Sequence, residues 1–146
     1  MAIGTLAFVG TARSTTTYIY QPTITVIKKP RPVQQNYSVE FLKDFVGEVS
    51  IKQQLDTQDY NDIVATIQCE SSFFADPPHN NISWGVAQFT PVTWHDFGHG
   101  DIMNPISQIE VMVSMWNKWE MHKGTPRQMK NRWDCYRLGL YKKYEK

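Results

Sequence analysis

The sequence predicts an α+β, mostly helical domain with a small β element and an extended N-terminal arm. Three observations carry this. Two stretches place apolar residues at offsets 0, 3, 4 and 7, one short apolar run sits between turn signals, and the first residues have no helical period. At 146 residues, 41% of them hydrophobic, the chain builds one core. The division expected is an arm over residues 1–38 and a domain over 39–146.

The arm is rich in Thr, Pro and Gln. Thr15 to Thr17, Pro22, Pro30 and Pro32 interrupt short β-branched pieces such as Ile24 to Ile27, so it reads as extended chain. From Ser38 onward, Phe41, Phe45 and Val49 recur every four residues and predict a short helix capped by Ser38. Asp56 or Thr57 caps a second helix, whose apolar face is Tyr60, Ile63, Val64 and Ile67. Glu70 lies three residues past Ile67 and continues that face as the helix ends. A carboxylate gains nothing from the helix dipole there and is partly withdrawn from water, which favours the protonated acid.

Asp76 to Asn81 is turn-rich and leads into Ile82 to Phe89, where a small hairpin or irregular strand is expected around Gly85. Thr90 followed by Pro91 starts a short helix with Trp94 and Phe97 on its apolar side, stopped by Gly98. Asn104 and Pro105 start the longest helix, with Ile109, Met112, Val113 and Trp116 on one face, expected to run to about His122. After Gly124, Thr125 and Pro126 begin a further helix with Gln128 as capping-box partner, and Trp133 to Leu140 close the domain.

Charge and composition exclude several functions. No stretch approaches the roughly 20 apolar residues of a spanning helix; the longest run, Ala2 to Gly10, is short and interrupted. No basic residue precedes that run, so an intact secretory signal is not expected, and export is left open. The net charge of +1 conceals a segregation: residues 1–32 carry four basic and no acidic side chains, 33–117 sum to −9 and 118–146 to +6. The basic end suits an anionic polymer or is a solvated face. No nucleic-acid motif accompanies it, even with Tyr136, Tyr141 and Tyr144 interleaved, so nucleic acid is not an expected partner.

GTLAFVG lacks the spacing and lysine of a phosphate loop. Ser71 and Ser72 with His79 or His95 match no nucleophile elbow. Cys69 and Cys135 belong to no Cys/His cluster, so no metal and no cofactor is expected; on spacing alone they are either a disulfide or two buried thiols.

Glu70 is the strongest candidate for chemistry. Phe73, Phe74, Trp84, Phe89 and Trp94 surround it in sequence, and such rings both stack on sugar faces and strip water from a carboxyl. Glycosidic cleavage needs a proton delivered near neutral pH, which a carboxyl in a dry pocket supplies. The competing assignment makes the rings core and Glu70 a boundary residue that forms a salt bridge or caps a helix. A hydrolase needs a second carboxylate, for which Asp76, Asp96 and Asp101 stand nearest in sequence, each in or beside a loop.

The run CESSFFADPPHNNISWGVAQFTPVTWHDFG, residues 69–98, resembles the soluble lytic transglycosylase and lysozyme-like superfamily, closest to resuscitation-promoting-factor-like domains. The ordered matches are Cys69, Glu70 and Ser71, then Gly85, Gln88 and Phe89, then Thr93 and Trp94, and finally Trp133 and Cys135. They span about 80 residues and leave the arm outside. The resemblance implies a lysozyme-like catalytic domain with Glu70 as catalytic acid, Gln88 contacting an N-acetyl or hydroxyl group and Trp94 in the floor of a sugar cleft. Ser71 and Gly85 belong to the same substrate-binding motif, and Tyr136 stands in for a tyrosine motif that this chain lacks.

It further implies a Cys69–Cys135 disulfide, and with it an extracellular, periplasmic or virion-associated location. The expected substrate is the peptidoglycan glycan strand. Alternatives are a muramidase-type hydrolase using Asp76 or Asp96, and a non-catalytic glycan-binding or structural domain of an envelope or virion assembly, to which the arm is suited as a tether. Pro77, Pro78 and Trp84 depart from the family pattern at the cleft mouth.

Overall fold

Helix starts are set by local capping. In the computed structural model, which describes residues 37–74 and 82–145, Ser38 accepts the N–H of Phe41 and opens α1, Val39–Lys52. Asp56, not Thr57, caps α2, Thr57–Ser71, by accepting the N–H of Asp59. Thr90 caps the short α3, Pro91–Phe97, and Asn104 caps α4, Pro105–Met115, each with proline in the first turn. Most of the arm, and the loop residues 75–81 with Asp76, lie outside the described residues.

The two helices with the 0, 3, 4, 7 pattern supply the core. Ile63 and Ile67 of α2 and Ile109, Met112, Val113 and Trp116 at α4 are essentially inaccessible to solvent. α1 packs on both. Its buried face is Leu42, Val46 and Val49, while Phe41 is exposed and stacks outside with Tyr37 and Phe45. This corrects the expected Phe41, Phe45, Val49 face. A four-residue spacing fits two adjacent rows of one helix, and the aliphatic row is the one that meets α4.

Of the expectations about the β structure, the small hairpin around Gly85 is met in minimal form and one is corrected. The run 82–89 forms a tight turn closed by a single bridge, in which Trp84 and Phe89 exchange N–H to carbonyl bonds of 2.9 and 3.1 Å. The two-stranded sheet lies downstream: β1, Trp119–His122, pairs antiparallel with β2, Thr125–Gln128. There the sequence pattern predicted the end of one helix and the start of another. The helix stops at Met115, and Lys123 and Gly124 both take left-handed φ, +49° and +79°, making the two-residue turn that suits a hairpin. Gly124 and Pro126, readable as helix stop and helix start, serve as turn and edge-strand residues.

A 3-10 turn, Met129–Arg132, and a single-turn helix α5, Asp134–Arg137, then return the chain to the end of α2, and a second 3-10 turn, Leu140–Lys143, finishes the described chain. The fold is thus mostly helical with one small sheet. No helix among the described residues is long and apolar enough to cross a membrane.

Candidate functional site

The site begins where α2 ends. Ser72 and Phe73 both adopt left-handed φ, so the chain turns sharply and leaves Glu70, on the last turn, half-buried at the wall of a cleft of about 200 Å³. Beside it Cys69 is bridged to Cys135, with Cα atoms 6.1 Å apart. The Cys135 N–H, one of the unpartnered donors at the start of α5, donates to Glu70 Oε1 at 2.9 Å. Glu70 therefore does cap a helix, as one of the two sequence assignments allowed, and it does so from within the cleft.

The turn 84–89 forms the opposite wall, and a residue that sequence reasoning did not single out holds it. Gln108 of α4 is fully buried; its Oε1 accepts the Ala87 N–H at 2.7 Å and its Nε2 donates to the carbonyls of Trp84, at 2.8 Å, and Ile102. The amide occupies the space where a side chain at residue 85 would start. A Cβ there would lie 2.1 Å from Gln108 Nε2, and φ is +75°, so glycine is required on both counts. Ser71, also buried, donates to the Val86 carbonyl at 2.5 Å and accepts the Phe73 N–H at 3.1 Å, tying the end of α2 to the same turn. The structure thus gives Ser71 and Gly85 positioning contacts within the protein.

Gln88 does line the cleft, in a left-handed conformation with φ of +52°. Its Nε2 donates to the Gly85 carbonyl at 2.7 Å, which fixes the amide's orientation because a carbonyl only accepts. The side-chain carbonyl, Oε1, is buried with no hydrogen-bond partner among the described residues.

Phe89 and Trp133 supply the rings of the cleft, and Ser83, Thr90, Thr93, Arg132 and Asp134 complete its lining. Trp133 is locked by its indole N–H on the Ala87 carbonyl at 2.7 Å and by edge contact with Phe89 at 5.6 Å. Trp94, expected in the floor, stands edge-on to Phe89 at 5.2 Å and is not among the lining residues. Tyr136 is likewise outside the lining; it stacks on Tyr141 at 4.9 Å and meets Trp116 edge-on at 5.0 Å. Asp96 is exposed beside His95 at 3.1 Å, and Asp101 accepts the Met103 N–H in a turn.

The second carboxylate at the cleft is one the sequence did not suggest, Asp134. It is largely exposed and held by Arg137 at 2.7 Å. Arg132 is the other charged group. Its guanidinium binds Glu120 through Nε at 2.9 Å and through Nη2, and Nη1 reaches Thr93 Oγ1 at 3.3 Å. Glu120, on β1, also takes Arg127 at 2.8 Å. Burial pushes the Glu120 carboxyl up, but the hydrogen bonds and charges of Arg132 and Arg127 outweigh it and hold the pKa below its ordinary 4.5. Nothing in sequence spacing announced this cluster, since its members meet only through the hairpin.

Among the described residues no three His, Cys, Asp or Glu side chains are close enough to hold a metal ion. No family model matches the chain, and no curated protein and no solved structure matches it.

Proposed function

We propose that this is a lysozyme-like domain that cleaves the β-1,4 bond between N-acetylmuramic acid and N-acetylglucosamine in peptidoglycan as a lytic transglycosylase. The observation that carries the reading is one cleft lined both by a half-buried carboxyl, Glu70, and by Gln88, whose buried Oε1 has no donor among the described residues. An unmet acceptor of this kind calls for an N–H or O–H from a ligand, and an acetamido sugar offers both. Phe89 and Trp133, both buried, give the cleft an apolar base.

The Cys135 N–H holds Glu70 through Oε1, and the reading requires a proton on this carboxyl. In the proposed reaction that proton goes to the glycosidic oxygen as its bond to the anomeric carbon breaks. The carboxylate then takes the proton of the muramyl 6-hydroxyl, whose oxygen closes on the anomeric carbon to give a 1,6-anhydro sugar. One carboxyl serves both steps. A muramidase needs a second; among the described residues the candidate in this cleft, Asp134, is engaged by Arg137 and Asp96 is outside the lining, while Asp76 lies outside the described residues.

Digesting purified wall and analysing the products by mass spectrometry tests this. Anhydromuropeptides are expected, and Glu70→Gln should lower their rate of release by about 10³-fold or more with the fold intact. Reducing-end products would replace this mechanism by hydrolysis. Wall left uncut at every pH would remove both.

A further inference from the structure

The cluster behind the cleft has a charge imbalance. Two guanidinium groups, Arg127 and Arg132, share the single carboxylate of Glu120, and that carboxylate is held ionised, so one positive charge is left over. The partner to which it is shared matters less than where the surplus emerges. Arg127 turns to the hairpin and does not line the cleft. Arg132 does, together with Thr93, which accepts from its Nη1. The guanidinium lies 5.1 Å from the Phe97 ring centre and is bonded along one edge by Glu120, and together these hold its orientation. A guanidinium also carries more N–H groups than Glu120 and Thr93 use. Besides Glu70, the described lining of the cleft carries one carboxyl group, Asp134, and Arg137 answers it.

Resting on the glycan reading above, we propose that Arg132 is a specificity-determining residue that binds a carboxylate carried by the glycan strand, so that the cleft prefers acidic over neutral acetamido glycans. A fixed, partly desolvated fork of N–H donors with surplus charge is suited to a planar carboxylate and gains nothing from a neutral hydroxymethyl or amide at the same place. On peptidoglycan two groups have this chemistry: the lactyl carboxylate of a strand whose peptide is removed, and a carboxylate of the stem peptide.

The test uses the full chain carrying Glu70→Gln, so that ligands persist, and calorimetric titration at low salt. The probes are peptide-free glycan strands and peptide-bearing strands, each with carboxylates free or converted to methylamides, and neutral chitin hexamer. Free carboxylates should improve binding about tenfold over the methylamides. Adding Arg132→Gln should erase that difference, read as the ratio of free-acid to methylamide affinity, with the neutral hexamer titrated alongside to show that the cleft still takes a glycan. Arg127 still answers Glu120 in this variant, and should Arg132→Gln nonetheless fail to fold, Arg132→Lys keeps the charge, loses the fork and should retain about threefold.

A preference seen with peptide-free strands assigns the lactyl group; one seen with peptide-bearing strands alone assigns the stem peptide, and both support the inference. Strands that bind equally well as acids and methylamides, with the Arg132 variants indistinguishable from their parent, overturn it while the glycan reading stands. Failure of every strand and of the hexamer to bind overturns both.

Discussion

Replacing Gly85 by alanine tests the tie between α4 and the cleft wall. The new Cβ would sit 2.1 Å from Nε2, 2.4 Å from Cδ and 2.6 Å from Oε1 of Gln108, so the amide has to leave. When it goes, the Ala87 N–H and the Ile102 carbonyl lose their partner inside a closed core, and the Trp84 carbonyl loses one of its two bonds, keeping the Phe89 N–H. At about 1–2 kcal/mol for each of the two buried groups left unmet, and about 1 kcal/mol for the bond lost at Trp84, Gln108→Ala alone should cost about 4 kcal/mol. Gly85→Ala should cost that plus about 1 kcal/mol for a Cβ in the left-handed region, hence about 5 kcal/mol. The double variant should cost no more than Gly85→Ala, because the amide is lost only once. The singles therefore exceed the double by about 4 kcal/mol in a double-mutant cycle. Urea unfolding followed by tryptophan fluorescence reads this as a midpoint lowered by about 2–3 M for each single variant. A Gly85→Ala cost below about 1.5 kcal/mol, or costs that simply add, would refute the account of how this turn is held.

The remaining predictions concern the groups around the site. Cys135→Ser opens a bridge between residues 66 apart in sequence, and the chain-entropy term for such a loop, about 4 kcal/mol, should appear as lost stability in urea, with no thiol titrating in the native parent. Glu120→Gln leaves two guanidinium groups facing each other and should cost about 3 kcal/mol in thermal or urea unfolding at neutral pH. Because the folded Glu120 pKa is depressed, its contribution is present above the ordinary 4.5 and is lost as pH falls below it, so the variant should lack that part of the parent's acid sensitivity. Burial, and then the charges of Asp62, Tyr136 and Glu145, push Tyr141 up to about 12. Its raised value contributes stability in full below pH 10 that is lost as pH rises toward 12; ultraviolet titration should show one late tyrosinate, and Tyr141→Phe should flatten the alkaline loss.

How much of this was legible in the sequence depends on the range of the interaction. Caps are local, and Ser38, Thr90 and Asn104 cap where their side chains and the following residues indicated. The core faces of α2 and α4 were legible because two turns of one helix repeat the same spacing. Residues 116–128 were not, since Gly124 and Pro126 fit a helix boundary as well as a hairpin and only the paired strands distinguish them. At the site, Glu70 and Gln88 were visible and do share a cleft, yet Gln108 was missed. A signal existed for it: Gln108, Val111, Met112 and Met115 stand at offsets 0, 3, 4 and 7, so an amide occupies a core position of α4. A polar residue in an apolar stripe marks a buried network, and that pattern could have been noticed. Arg132 and Asp134 had no such signal, because the hairpin and the disulfide bring them to the cleft.

The segregation of charge along the chain also acquires a different meaning once folded. An acidic middle and a basic end suggest a basic face offered to an outside polymer. The structure instead folds much of the basic segment onto carboxylates. Lys130 lies 3.8 Å from Asp59 of α2, both side chains largely buried, and is 5.2 Å from the Tyr136 ring centre. Asp59 also takes the Trp116 indole N–H at 3.1 Å and the Asn117 amide at 2.6 Å, so the acidic start of α2 organises the end of α4. Arg127 and Arg132 converge on Glu120, and Arg137 on Asp134. These pairings, with the Cys69–Cys135 bridge, hold residues 127–137 against the end of α2 and the turn 84–89. The positive end of the sequence thus acts first as an intramolecular clamp that builds one wall of the cleft. Of its paired cations, Arg132 is the one whose donors are presented to that cleft, which is why a point charge inside the site, and not a basic surface, is the electrostatic feature from which function should be argued.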